Sequence, residues 1–136
     1  MKIVLDTNVI VSGLLSPYRT PSTIVRMVTD LTLRISYDAR IFSEYEAVLT
    51  RPKFGFESER IEAFLEQLKV RGERVVAKPL PKSLPHTADQ MFLEVALAGR
   101  VACLVTGNLK HFPKMLCQEM KVYSPSDFLE FYHKSN

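Results

Sequence analysis

Residues 2–10 read Lys2-Ile3-Val4-Leu5-Asp6-Thr7-Asn8-Val9-Ile10. Three aliphatic side chains in succession end on an aspartate, and two polar residues follow before apolar ones resume. Ile3–Leu5 shows no polar alternation, so it reads as a strand covered on both faces, the pattern of a parallel sheet. In open parallel sheets ligands bind beyond the carboxyl ends of the strands. A carboxylate at that place is either an N-cap for the helix that follows or a functional group at the mouth of a crevice.

A second run of this kind, Val101–Val105, ends on Thr106-Gly107-Asn108. That segment is either a turn or a second set of polar groups delivered to the same crevice. Between the two runs, strand and helix signals alternate. Helices are expected over Asn8–Leu15, over Pro21–Val28 with Thr20 as N-cap, and over Ala39–Thr50. Further helices are expected over Glu57–Arg71 with Gly72 as C-cap, over Asp89–Ala98, and from Ser124-Pro125-Ser126-Asp127 onward with Phe128, Leu129 and Tyr132 on one side. Leu31–Ser36 alternates and predicts a half-exposed strand. Arg74–Ala77 and Lys121–Tyr123 are short strand candidates, and Lys78–His86, with its three prolines, reads as a loop. Alternation through the whole chain predicts one α/β domain over residues 1–136, a three-layer α/β/α sandwich on a mainly parallel sheet.

Composition narrows the function classes. The chain has 136 residues, 46% hydrophobic and 24% charged, which suits a globular domain with a real core. A net charge of +3 is compatible with a polyanionic partner but does not specify one. Cys103 and Cys117 have no CxxC spacing, and His86, His111 and His133 lack metal-ligand spacing, which argues against a disulfide framework and a zinc site. No apolar stretch approaches the ~20 residues of a membrane helix, and the N-terminus has no secretory pattern. A cytoplasmic protein without membrane contact is expected.

Two helices carry further carboxylates of interest. Glu44 lies on the apolar stripe formed by Ile41, Tyr45, Val48 and Leu49, whereas Glu46 does not. A carboxylate on an inward face needs a partner; an arginine, the edge of the stripe or a metal would each serve. Asp89 shares a face with Phe92 and Leu93 at the start of its helix, where capping and the helix dipole are the competing explanation. Glu94 points off that face and is expected to be solvated. Carboxylates aimed at one point repel each other unless a cation sits between them. Oxygen ligands alone suit Mg²⁺ or Mn²⁺, ions that activate water and clamp phosphoryl oxygens.

The segments VLDTNVIVSGLL, FSEYEAVLTRPKF and DQMFLEVALAGRVACLVTGNLKHFP together resemble the PIN-domain family of ribonucleases. The resemblance spans nearly the whole chain and is greatest to prokaryotic members described as toxin components of type II toxin–antitoxin pairs. It implies an α/β/α sandwich and Mg²⁺- or Mn²⁺-dependent hydrolysis of RNA phosphodiesters. It further implies that Asp6, Glu44 and Asp89 are catalytic, that Asn108 joins them as metal ligand, and that Thr7, Asn8 and Thr106 are polar supports. Many members have an aspartate where this chain has Asn108, so the site holds three carboxylates and has less charge for a second ion. Arg51, Lys53, Lys110 and His111 flank the matched blocks and are candidates for the RNA backbone, or plain solvated charges. An antitoxin protein is the implied partner, and a homodimer is expected. The alternative function is a catalytically weak or inactive PIN domain that binds RNA or protein. A phosphotransfer domain with Asp6 as nucleophile fits less well, because the second aspartate such hydrolases need is Asn8 here.

Overall fold

In the computed structural model, which describes residues 1–135, the Lys2–Leu5 run is strand β1 and is the middle of the sheet. The elements follow as α1 (Thr7–Leu15), α2 (Thr20–Thr29), β2 (Arg34–Tyr37), α3 (Ala39–Leu49), α4 (Ser58–Arg71), β3 (Glu73–Arg74), α5 (Gln90–Gly99), β4 (Cys103–Val105), β5 (Val122–Tyr123) and α6 (Pro125–Ser135). The five strands are ordered β3-β2-β1-β4-β5, and every pairing is parallel. Successive side chains of a strand point to opposite faces, yet Ile3, Val4 and Leu5 are all 0% exposed, as are Cys103, Leu104 and Val105. Both faces of the central strands are therefore covered by helices, and the α/β/α layering follows.

This strand order fixes the location of a crevice. From β1 the chain steps outward through β2 and β3, then returns to the other side of β1 as β4 and β5. The order reverses between β1 and β4, and such a switch point opens a crevice at the strands' carboxyl ends. Leu5 pairs in register with Val105, so the next residues out, Asp6 and Thr106, both face it. Helix α1 packs tightly on α2: a Cβ at Gly13 would lie 2.6 Å from Val25 Cγ2 and 2.8 Å from the Pro21 carbonyl oxygen, so only glycine permits this approach.

Several local expectations are corrected. The N-cap of α2 is Arg19, and Thr20 is already helical. Strand β2 is Arg34–Tyr37 rather than the alternating segment from Leu31, and its last three residues are buried. Leu31 sits at φ 70° in a turn closed by Leu31 N–H to Val28 O (3.2 Å) and by Thr32 N–H to Asp30 Oδ1 (2.9 Å). The apparent alternation came from this turn, and an interior parallel strand has no solvent face to alternate toward. β3 is shorter than Arg74–Ala77 and ends at Arg74. Glu94 is not solvated: it is 5% exposed. It accepts from Arg40 Nη1 at 2.7 Å and from the Leu80 amide at 3.0 Å. Five successive residues of α5, Phe92 to Ala96, are buried. The helix packs on β1, β2 and β4, while Leu80 in the proline-rich loop covers its Glu94 side, so one apolar stripe underestimates how much of it is enclosed.

Candidate functional site

Asp6 occupies the N-cap position of α1, with φ −64° and ψ 142°, but its side chain makes no capping hydrogen bond. Instead Asp6 Oδ2 accepts from Thr106 Oγ1 at 2.8 Å. The backbones are joined as well: Asp6 N–H donates to Val105 O at 2.9 Å. Asn8 Oδ1 accepts from the Gly107 amide at 3.0 Å, and Thr106 Oγ1 accepts from the Asn108 amide at 3.0 Å. The polar residues that end the two apolar runs thus hold the switch point together.

Helix α3 delivers Glu44 to the same place. Its Oε2 accepts a short hydrogen bond from Thr7 Oγ1. The neighbouring Tyr45, fully buried, donates through its hydroxyl to the Leu5 carbonyl oxygen, again in a short bond. Two hydrogen bonds from adjacent α3 residues therefore grip the chain on either side of Asp6. Among the described residues no arginine pairs with Glu44; the buried carboxylates that have one are Asp38 and Glu94, which share Arg40.

Asp89 stands at the start of α5, at the end of a 3₁₀ turn, and its side chain caps nothing either. Its Oδ2 is buried without a hydrogen-bond partner. His111 Nδ1 lies 2.9 Å from that oxygen, an ion pair when the imidazole carries a proton on both nitrogens. The His111 ring is stacked on His86 with centroids 4.1 Å apart. A buried carboxylate oxygen without a hydrogen bond is costly, and a hard cation is a chemically suitable partner for it beside His111.

Asp6, Glu44 and Asp89 line one open crevice of about 410 Å³, together with Thr7, Asn8, Arg51 and Phe54. Larger hollows of about 490 and 520 Å³ elsewhere hold one carboxylate each, Glu94 and Glu119. Burial, chiefly, raises the Asp6 carboxyl from 3.8 to about 6; the Thr106 hydroxyl lowers it, the Asp89 charge raises it, the Asn8 amide lowers it and Glu44 raises it. Burial also raises the Tyr45 phenol well above its ordinary value, with Asp6 and Glu44 adding to the effect, so Tyr45 remains a donor. Among the described residues no three His, Cys, Asp or Glu side chains already stand converged as a closed metal site. Asp6, Glu44 and Asp89 are the residues of this crevice that could hold a hard divalent cation, with Glu44 Oε2 already engaged by Thr7.

The remaining predicted residues divide by position. Arg51 lines the crevice; Lys53, Lys110 and Asn108 are exposed and stand outside its lining. His111 reaches the site only through Asp89. Sequence reasoning missed Tyr45, which counted as an apolar stripe residue, although a tyrosine that is buried needs a partner for its hydroxyl. It also missed Phe54, His86 and the Asp38–Arg40–Glu94 network. In that network Asp38 Oδ1 caps Ile41 N–H at 3.0 Å and Asp38 Oδ2 lies 2.7 Å from Arg40 Nη2. Asp38 preceding a helix was the legible signal.

The fold is shared with solved structures. A chain of FitAB bound to an IR36 DNA fragment superposes with a TM-score of 0.63 at 19% identity, covering 92% of this chain and 95% of that one. A chain of VapBC2 from Rickettsia felis, bound to a DNA fragment from its promoter, gives 0.57 at 15% identity, covering 91% and 98%. No curated protein sequence matches significantly. A family profile described as the PIN domain matches residues 2–110, from the first residue of β1 through the loop that follows β4. The chain belongs to the PIN-domain family.

Proposed function

We propose that the protein is a Mg²⁺- or Mn²⁺-dependent ribonuclease, the toxin component of a toxin–antitoxin pair. The observation that carries this reading is the gathering of Asp6, Glu44 and Asp89 on one crevice, with Asp89 Oδ2 buried, without a hydrogen bond and 2.9 Å from His111 Nδ1. Asp89 makes no capping hydrogen bond, and Asp6 has none of good geometry although the Asn8 backbone N–H acts on its carboxyl, so the helix-capping alternative is weakened. Asp6 and Asp89 would hold the ion, which when bound would supply Lewis acidity at a scissile phosphate and lower the pKa of a water molecule. The chain's own residues then orient the reaction. Thr106 Oγ1 fixes one oxygen of Asp6. Thr7 Oγ1 holds Glu44 Oε2 and leaves Oε1 for water or an ion. Tyr45 pins the end of β1 to α3, so Asp6 and Glu44 keep their separation. Arg51 on the crevice wall is available to a backbone phosphate. Asn108 would contribute through its amide oxygen only from outside the lining. The likeness in fold to chains of FitAB and VapBC2, both solved on DNA, supports a partner protein, an antitoxin; a homodimer of this chain is part of the proposal.

The test is cleavage of single-stranded RNA by purified protein with Mg²⁺, with Mn²⁺ and with EDTA, beside Asp6→Asn and Asp89→Asn. Cleavage that needs the ion and fails in both variants is the expected result. Asp89→Asn should retain or gain thermal stability in EDTA, because its Oδ2 has no hydrogen bond to lose and the substitution removes a charge close to those of Asp6 and Glu44. A loss above ~1 kcal/mol would make Asp89 a structural residue. The loose spacing of the three carboxylates favours one second reading, an inactive PIN domain that binds RNA or protein. RNA retained by the purified protein but left intact under every ion would establish that reading.

A further inference from the structure

Phe54 lines the same crevice as the three carboxylates, half-buried at its lip. It belongs neither to the buried core nor to the partly buried hydrophobics packed against it, whereas Phe56 is packed there. Core packing therefore does not explain an aromatic ring at position 54. Its ring stacks on Phe56, centroids 5.5 Å apart and planes 16° from parallel, so the core-anchored ring supports the half-buried one. Lys53 Nζ lies 5.1 Å from the Phe54 centroid, and Arg51 lines the crevice beside it.

The backbone holds this ring in place. Pro52 opens a 3₁₀ turn, Phe54 N–H donates to Arg51 O at 3.2 Å, and Gly55 N–H donates to Pro52 O at 3.1 Å. Gly55 turns the chain at φ 64°, where a glycine is favoured for its backbone alone, since nothing stands within 4 Å of a Cβ there. A ring fixed before binding loses little conformational freedom on binding.

From this geometry we infer that Phe54 is the residue on which a nucleobase of the RNA stacks, next to the phosphate at the carboxylates. The inference rests on the ribonuclease reading. Three carboxylates in the crevice repel a polyanion, so attraction must come from its rim. A supported aromatic plane flanked by Arg51 and Lys53 supplies the two interactions that hold single strands, base stacking and phosphate neutralisation. Stacking on a phenyl ring accepts any base, so Phe54 adds affinity and register without sequence preference.

The test is fluorescence anisotropy of the full chain with a labelled single-stranded RNA of about 12 mixed nucleotides in EDTA, where no turnover occurs. A matching abasic strand keeps the phosphates and removes the bases. Phe54→Leu is expected to weaken RNA binding by about 5- to 100-fold, the loss of one stacked base. Its salt dependence and thermal midpoint should be unchanged, and Phe54→Tyr should restore binding. Lys53→Met should instead reduce the salt slope by about 0.7. On the abasic strand, Phe54→Leu should have no effect. An unchanged affinity for RNA in Phe54→Leu, or an equal loss on the two strands, overturns the stacking role and leaves the ring as a protein contact or a wall. Binding of neither strand by the native chain would overturn the ribonuclease reading itself, and this inference with it.

Discussion

Thr106 Oγ1 donates to Asp6 Oδ2 at 2.8 Å across one hundred residues of chain. This bond joins the ends of β1 and β4 where the strand order reverses. It partly stabilises a carboxylate that its own burial disfavours as an ion. Asp6 is 6% exposed, and its pKa is raised from 3.8 to about 6.

The raised value makes a statement about stability. Between pH 3.8 and about 6 the folded protein holds the Asp6 proton more tightly than the unfolded chain does. Asp6 therefore costs the fold nothing below that window and progressively more as pH rises through it, reaching about 3 kcal/mol above it. Asp6→Asn should accordingly be more stable than the native protein at pH 8 in EDTA, by roughly 2–3 kcal/mol, and nearly equal at pH 4. Urea melts at the two pH values measure this. Equal stability at pH 8 would mean that Asp6 ionises without penalty.

Tyr45 makes a mechanical prediction. Its hydroxyl donates to the Leu5 carbonyl oxygen inside the core. Tyr45→Phe removes that donor at nearly constant volume and should cost about 1–3 kcal/mol in a urea melt. Because the bond sets the distance between β1 and the Glu44 helix, Mn²⁺ should also raise the melting temperature of the variant less than that of the native protein. A normal Mn²⁺ response in a destabilised Tyr45→Phe would confine Tyr45 to a structural role.

The parts of this fold that were legible share a physical trait: their signals are local. Ile3–Leu5 and Val101–Val105 announce buried parallel strands because no polar residue interrupts them, and the carboxylates that end or join such apolar runs are conspicuous for the same reason. What was hidden depends on partners remote in sequence. Glu94 looked solvated from its helix face alone, because Arg40, fifty-four residues away, and the Leu80 amide are its partners. The start of β2 was misplaced because a tight turn at Leu31 mimicked alternation. Tyr45 was hidden by its own chemistry, a ring that patterns as apolar while its hydroxyl is what matters near Asp6.

Glu94 and Arg40 form a pair of unequal exposure, the carboxylate side chain at 5% and the guanidinium at 51%. Arg40→Met leaves Glu94 buried with only the Leu80 amide. The expected cost is about 1–3 kcal/mol, below the full value for a buried pair because Arg40 is half solvated. Arg40→Met combined with Glu94→Gln should recover a large part of that loss, since the charge in need of a partner is gone. A double variant as unstable as the sum of the two single ones would show that the residues act independently.

Asn108 separates ligation from proximity. Its backbone N–H reaches Thr106 Oγ1 at 3.0 Å, one hydrogen bond removed from Asp6, while the residue is exposed and outside the crevice lining. Asn108→Asp adds a negative charge at that remove. In metal-free buffer it should lower stability at neutral pH slightly, because the new charge further disfavours ionised Asp6. In dilute buffer the Mn²⁺-induced rise in melting temperature should exceed that of the native protein, since added negative charge attracts the ion. An exposed charge acting at a distance is screened, with a Debye length of about 10 Å at 0.1 M salt and about 3 Å at 1 M. The excess rise should therefore vanish near 1 M salt. A direct carboxylate–ion bond would resist that screening. Melting curves of the native protein and Asn108→Asp, with and without Mn²⁺ at both salt concentrations, distinguish the two. An excess that persists at 1 M salt would make position 108 a ligand and the loop after β4 a wall of the ion site.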